Sequence, residues 1–209
     1  MADHKKGGVM PRNLVTAFFD DVLKKPSSNR EQAQMFLTDG LAPTPYIIDG
    51  LDIEDGFELY SKNNETSIRL IDHRKVDDPR IAYAVKVQVS DEKIGRSACT
   101  QVMVWANPRN EEVLLGFPRK IFNHLLEKHV IMITDKEQTP DGKRFWERRI
   151  SNAFEDGLFV YYNDASDGET NLQLIPDEDE FFETYEPLGW GDDPDHMHKM
   201  FIISKHSLI

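Results

Sequence analysis

The chain reads as an α/β (α+β) protein with a mixed, mainly antiparallel central sheet and flanking helices. Three observations predict this. Residues 81–163 alternate between two periods in the order strand, strand, helix, strand, helix, strand. The first two strands alternate apolar and polar residues, as a sheet with a covered face does. Two amphipathic stretches near the start, residues 12–25 and 29–37, need a flat apolar surface to lie on.

Taking the elements in order, residues 1–11 read as a flexible tail ending at Pro11. Leu14, Val15, Phe18, Phe19, Val22 and Leu23 recur at helical spacing, Lys24 and Lys25 suit a helix C-terminus, and Pro26 stops it. Ser28 or Asn29 is the expected cap of a second helix, closed by Gly40. Residues 41–56 hold two prolines, two glycines and four acids, which is loop composition. Residues 57–61 and 66–72 flank Lys62-Asn63-Asn64-Glu65 as a hairpin. Ile81, Tyr83, Val85, Val87 and Val89 share one face of the next strand, with Lys86 and Gln88 opposite. A turn is expected at 91–96. Cys99, Gln101, Met103 and Trp105 then alternate with Thr100, Val102 and Val104. Together, residues 57–105 form an antiparallel meander.

Pro118 opens a helix that buries Ile121, Phe122, Leu125 and Leu126, because proline at the first helical position loses no hydrogen bond. Val130-Ile131-Met132-Ile133 is apolar on both faces, so it is a central strand. A helix from Gly142 carries Phe145, Trp146, Ile150, Ala153 and Phe154 on one side. Lys143, Arg144, Glu147, Arg148 and Arg149 line the other. The strand at 158–163 is expected parallel to 130–134 or to the meander's edge, through a right-handed crossover. Residues 171–175 are a short strand, the acidic stretch 177–186 about one helical turn, and 199–204 the closing strand. The predicted organisation is a single domain over 12–209: two helices at 12–40, the meander, then the helix–strand segment 118–204.

Composition narrows function. The net charge is -12, and 30% of residues are charged. An acidic surface repels nucleic-acid phosphates and favours solubility or a basic protein partner. No run approaches the ~20 apolar residues of a membrane span. One cysteine, Cys99, permits no disulfide within the chain and reads as a packing residue. A cytoplasmic setting is the simplest expectation. Asp193, Asp195, His196 and His198 lie close in sequence, and read as a polar loop rather than a metal site. Ligands of α/β sheets lie beyond the carboxyl ends of strands, which singles out Asp135, Gln138 and Thr139.

This order of elements resembles the GCN5-related N-acetyltransferases, of acyl-CoA N-acyltransferase-like fold, over residues 57–204. Phe145-Trp146-Glu147-Arg148 is similar to the aromatic-aromatic-Glu-Lys/Arg run of that family's fourth helix, and residues 197–204 to its closing strand. The resemblance implies acetyl-CoA or another acyl-CoA as cofactor and a small-molecule or protein amine as acceptor. Met103, Val104 and Trp105 would pair with pantetheine, while Gly116, Arg119 and Lys120 would face the diphosphate. Glu111, Glu112 and Asp135 become candidate bases, and Tyr161 and Tyr162 candidate proton donors. The family's Arg/Gln-x-x-Gly-x-Gly/Ala loop is replaced here by residues 108–118, with one glycine, two acids and a proline that lacks a donor. A second reading follows from the charge: a catalytically inactive acidic module, such as an immunity, anti-defence or regulatory protein, that binds a basic partner. Its face would combine the acids of 177–186 and Asp192, Asp193 and Asp195 with Phe181, Phe182 and Tyr185.

Overall fold

The computed structural model describes residues 22–94, 96–134, 140–165, 171–190 and 199–209. The chain is mixed α and β, and its strand pairings are mostly antiparallel. The described residues divide into two compact bodies, one ending at Ile131 and one starting at Met132. Most of the predicted helix 12–25 lies outside the described residues.

The described part of the first body opens with helical residues 22–24, and helix α1, Pro26–Thr38, follows. It starts three residues before the expected site. Lys25 is the residue before the first turn, and Pro26 takes the first helical position, where its missing N–H has no partner to lose. Asn29 is therefore not a cap. It lies inside the helix, 2% exposed, and its side chain serves the sheet. Its Nδ2 donates to the carbonyls of Ile81 and Leu23, both at 3.1 Å, while Ile81 N donates to its Oδ1 at 2.8 Å. The amide thus pairs with Ile81 as a neighbouring strand residue would.

Strands β1 (Thr44–Pro45), β2 (Phe57–Lys62), β3 (Ser67–Asp72), β4 (Arg80–Ile94) and β5 (Arg96–Ala106) form the expected antiparallel meander, extended by the short β1. The turn expected at 91–96 is tighter, because β4 runs on to Ile94 and β5 resumes at Arg96. The hairpin tip falls where predicted. Asn63, Asn64 and Glu65 all have positive φ, at 53°, 54° and 66°. Asparagine tolerates this left-handed region, whereas glutamate enters it at a cost. In β4 every residue from Ile81 to Val85 is buried, and the small Ala84 packs with α1 in the core. Trp105, Ile71, Ile81, Ala84, Ala33, Phe36 and Leu23 make one core cluster. The Arg69 guanidinium lies 4.4 Å from the Phe36 ring centroid and donates to Gln32 O, so a cation closes this cluster's rim.

Helix α2 (Phe117–Lys128) buries Ile121, Phe122, Leu125 and Leu126 as the pattern required. Strand β6 (Val130–Thr134) begins parallel to β5, through Ala98–Val130 and Cys99–Ile131. Cys99 is wholly buried and its thiol is pushed up to about 12 by burial, which makes it a packing residue as expected.

In the second body, helix α3 (Pro140–Glu155) starts two residues before the expected Gly142. It buries Trp146, Ile150 and Ala153. Arg149, expected on the solvent face, is also buried, with its guanidinium 5.0 Å from the Phe145 ring centroid. Gly157, at φ +67°, ends the helix by letting Leu158 N reach back to Ala153 O. Strand β7 (Phe159–Asp164) pairs antiparallel with β8 (Leu172–Ile175) on one edge and β9 (Lys199–Ser204) on the other. The parallel pairing expected for β7 is not made, because β8 and β9 occupy both its edges.

The Asn29 amide yields a prediction. Asn29→Ala leaves the buried N–H and C=O of Ile81 without those partners, and should lower unfolding free energy by about 2–4 kcal/mol. Urea denaturation checks this: the midpoint should fall with an unchanged slope.

Candidate functional site

The residues expected to hold an acyl-CoA all belong to the first body. Trp105 is 6% exposed and packs in the core cluster, so its ring is not presented to a ligand. Val104 is half-buried beside it, and Met103 lies in β5 opposite Lys86 of β4. After β5 comes a short helical turn, Pro108–Asn110, capped when Asn107 Oδ1 accepts from Arg109 N. Glu111 and Glu112 follow it and are exposed.

The start of α2 decides how an anion would be received there. Phe117 N donates to Leu114 O at 3.0 Å, and Pro118 has no N–H. Arg119 N and Lys120 N both donate to Gly116 O, at 3.1 and 3.2 Å. A helix N-terminus binds phosphate through unsatisfied N–H groups. Here positions 117–120 offer none: Phe117 N is held by Leu114, Pro118 has no N–H, and Gly116, in left-handed conformation at φ +72°, accepts from Arg119 and Lys120. Of the side chains, Arg119 is half-buried, and exposed Lys120 donates to Gly50 O at 3.4 Å.

The two candidate proton donors lie in β7 of the second body. Tyr161 is fully buried, and its hydroxyl accepts from Leu208 N at 2.9 Å and lies 3.5 Å from Ser207 Oγ. It tethers the chain after β9. Tyr162 is 4% exposed and sits between Tyr185 and Phe201. Burial, then the charges of Asp164 and Tyr185, push its hydroxyl up to about 12. It stays protonated, and it is a weaker acid than an ordinary tyrosine. Asp135, Gln138 and Thr139 lie outside the described residues, as do Asp192, Asp193, Asp195, His196 and His198.

The acidic stretch is more than the single turn expected. Asp177 Oδ1 accepts from Glu180 N at 2.8 Å and starts a continuous helical run to Gly189. Glu178, Asp179 and Glu180 occupy its first turn, where the helix dipole favours acids. Its middle, Phe181–Tyr185, is wound as a π-helix, a form enriched at functional sites. Phe181 is buried against Phe201 and Trp190, at centroid distances of 5.2 and 6.0 Å. Glu186 pairs with Lys143 of α3, whose ammonium lies 5.8 Å from the Trp190 centroid. The opposite side faces outward. Phe182 is 43% and Leu188 42% exposed, amid exposed Asp177, Asp179 and Glu183.

A further constellation escaped the sequence reading. Glu65 Oε2 at the hairpin tip accepts from Tyr46 Oη at 3.1 Å and from Lys128 Nζ at 2.5 Å. His124 meets the Tyr46 ring edge-on at 5.4 Å. The detectable signal was the spacing of Lys120, His124 and Lys128, which at i, i+4 and i+8 share one face of α2. Their partners, Tyr46 and Glu65, come from elements remote in sequence.

Among the described residues no group of three or more His, Cys, Asp or Glu is arranged to hold a metal ion, and no helix is long and apolar enough to cross a membrane. Comparison with known protein families, curated proteins and solved structures finds no match to this chain.

Two predictions follow from these contacts. Tyr161→Phe removes the part-buried hydroxyl contacts with Leu208 N and Ser207 Oγ, so stability should fall by about 1 kcal/mol, and the Leu208 amide should lose its exchange protection. The Lys128 and Tyr46 hydrogen bonds hold the Glu65 carboxyl below its usual value, against an opposing burial effect. A depressed carboxylate stabilises the fold above its unfolded pKa and loses that contribution as pH falls through the folded value. Glu65 is partly exposed, so Glu65→Gln should cost under about 1 kcal/mol near neutral pH and less at about pH 3, read from urea midpoints at the two pH values.

Proposed function

We propose that this chain is an acidic protein-binding module and performs no acyl transfer. The observation that carries this reading is the run from Asp177 to Leu188, which turns Phe182 and Leu188 outward between carboxylates instead of burying them. Exposed aromatic and aliphatic anchors supply affinity, and surrounding charge steers an oppositely charged partner. The helical run rests on Phe181, Phe201 and Trp190, so the outward side chains are presented from a packed base. The partner this chemistry fits is a basic protein surface with an apolar pocket.

A second reading, acyl transfer from acyl-CoA to an amine, is supported by the order β5, α2, β6, with β6 starting parallel to β5. Against it stands the start of α2, whose main-chain donors are internally satisfied.

The readings separate in two measurements. Binding of a ligand raises apparent stability by mass action, so a Kd of about 10 µM should give near 2.7 kcal/mol at a hundredfold excess. Thermal denaturation with millimolar acetyl-CoA should show no shift, and a saturable shift would favour acyl transfer. Affinity capture from the native host should recover a stoichiometric basic protein. With that partner purified, Asp177→Asn, Glu178→Gln, Asp179→Asn and Glu180→Gln together should weaken binding at least about tenfold and flatten its salt dependence. Phe182→Ala should weaken it at unchanged salt dependence. An unaltered affinity in both variants would remove the binding reading.

A further inference from the structure

The contacts around His124 join three elements of the first body. Residues 46–50 lead away from β1, the hairpin tip 63–65 closes β2 on β3, and α2 lies beside both. Four contacts hold them. Lys120 Nζ donates to Gly50 O, Lys128 Nζ and Tyr46 Oη both donate to Glu65 Oε2, and His124 packs edge-on against Tyr46. The residues so held are well covered: Tyr46 is 7% and Ile48 8% exposed. Glu65 keeps its positive φ within this network, so its side chain partners help retain a backbone conformation glutamate does not favour.

His124 is the weak member. Its Nε2 is buried and has no hydrogen-bond partner. A neutral imidazole tolerates this as an unused acceptor. An imidazolium does not, because both ring nitrogens then carry protons and the Nε2–H meets no acceptor. The surroundings divide. Burial and the Lys128 ammonium one turn along disfavour the charge, while Glu65 on the hairpin, Asp49 on the loop and Glu127 on α2 favour it. Tyr46 stays neutral, since burial and Glu65 raise its hydroxyl well above the usual tyrosine range. The first pair prevails, so the imidazole is held below its ordinary value.

We propose that His124 is an acid-operated release for the strap formed by residues 46–50 and the hairpin tip. At neutral pH the uncharged ring lies under Tyr46 and the strap is closed. Taking up a proton places an unpaired N–H in that contact, and the strap lifts from α2, uncovering Tyr46 and Ile48 while the rest of the meander stays folded. The sign follows from the depressed value. The closed strap is fully stable above the unfolded pKa of 6.5 and loses that stability as pH falls below it. Glu65, held below its own usual value, remains ionised in this window, so the release belongs to the histidine.

Amide hydrogen exchange tests this on the whole chain. Tyr46 N donates to Leu59 O, Leu51 N to Ile48 O and Thr66 N to Asn63 O, so each amide reports the strap. After correction for intrinsic rates, their protection relative to β3 and β4 should fall by up to about tenfold between about pH 7.5 and about pH 5.5. His124→Phe keeps an aromatic edge against Tyr46 and cannot titrate, so its strap protection should not change across that window. If that variant does not fold, His124→Gln serves, being polar and non-titrating. An unchanged protection ratio in the native chain would overturn the proposal. So would an equal loss in the non-titrating variant.

Discussion

A single buried amide organises the first body. Asn29 presents to Ile81 the donor and acceptor that a further strand would have supplied. Such groups cannot be left unpaired inside a protein without a cost of about 1–3 kcal/mol each. The amide also fixes where α1 can lie. With Asn29 held at the start of β4, the next turns place Ala33 and Phe36 over the sheet, against Ile71, Ile81, Ala84 and Trp105. The small Ala84 of β4 then makes sense, because it leaves room under α1 that Val or Ile would fill. Arg69 and Lys62 close over the Phe36 ring from the sheet side, each also donating to a carbonyl at or beyond the helix, Gln32 O and Asp39 O.

Much of this architecture was legible because the periods are clean. The alternation in 57–105 and the helical spacing of Ile121, Phe122, Leu125 and Leu126 each point to one element type. What remained hidden were choices between local rules of similar strength. Asn29 after a serine pair reads as a cap, yet Pro26 can start a helix and Asn29 found its partner 52 residues away. The orientation of β7 was hidden for a different reason. A strand's own residues do not state its neighbours, and the closing strand β9 took the edge that sequence order suggested for β6. Arg149 was placed with the charged side of α3, and the nearby Phe145 ring helps show why a guanidinium can be covered there.

The candidate sites divide along the same line. Chemistry that depends on one stretch of chain could be read locally: Pro118 withholds a donor, and the acids at 178–180 lie at a helix start. That Gly116 would turn its carbonyl onto the next two free amides depends on a backbone angle no residue pattern states. Tyr161 and Tyr162 alternate across the sheet, as neighbours in a strand must. Both are nevertheless covered, one by the chain after β9 and the other by the helical run. The Tyr46, Glu65, His124 and Lys128 contacts needed three remote elements brought together, and only half of that arrangement, the Lys120–His124–Lys128 spacing, is local.

The distribution of acids matters more than their sum. A net charge of -12 would suggest a uniformly repulsive surface, but several carboxylates are already committed. Asp72 is bound by Arg74, Asp78 lies between Arg80 and Arg30, Glu65 is taken by Lys128, and Glu186 by Lys143. Each such pair is locally near neutral and contributes little to the field beyond a Debye length of about 8 Å. The acids at 177–180 are different. Asp177 spends one oxygen on the helix start, and the three that follow are held by the dipole, which needs no counter-cation. Their charge therefore projects into solvent. Phe182 stands next to them on the same run, so attraction at long range and apolar burial at short range are offered by one short segment of chain.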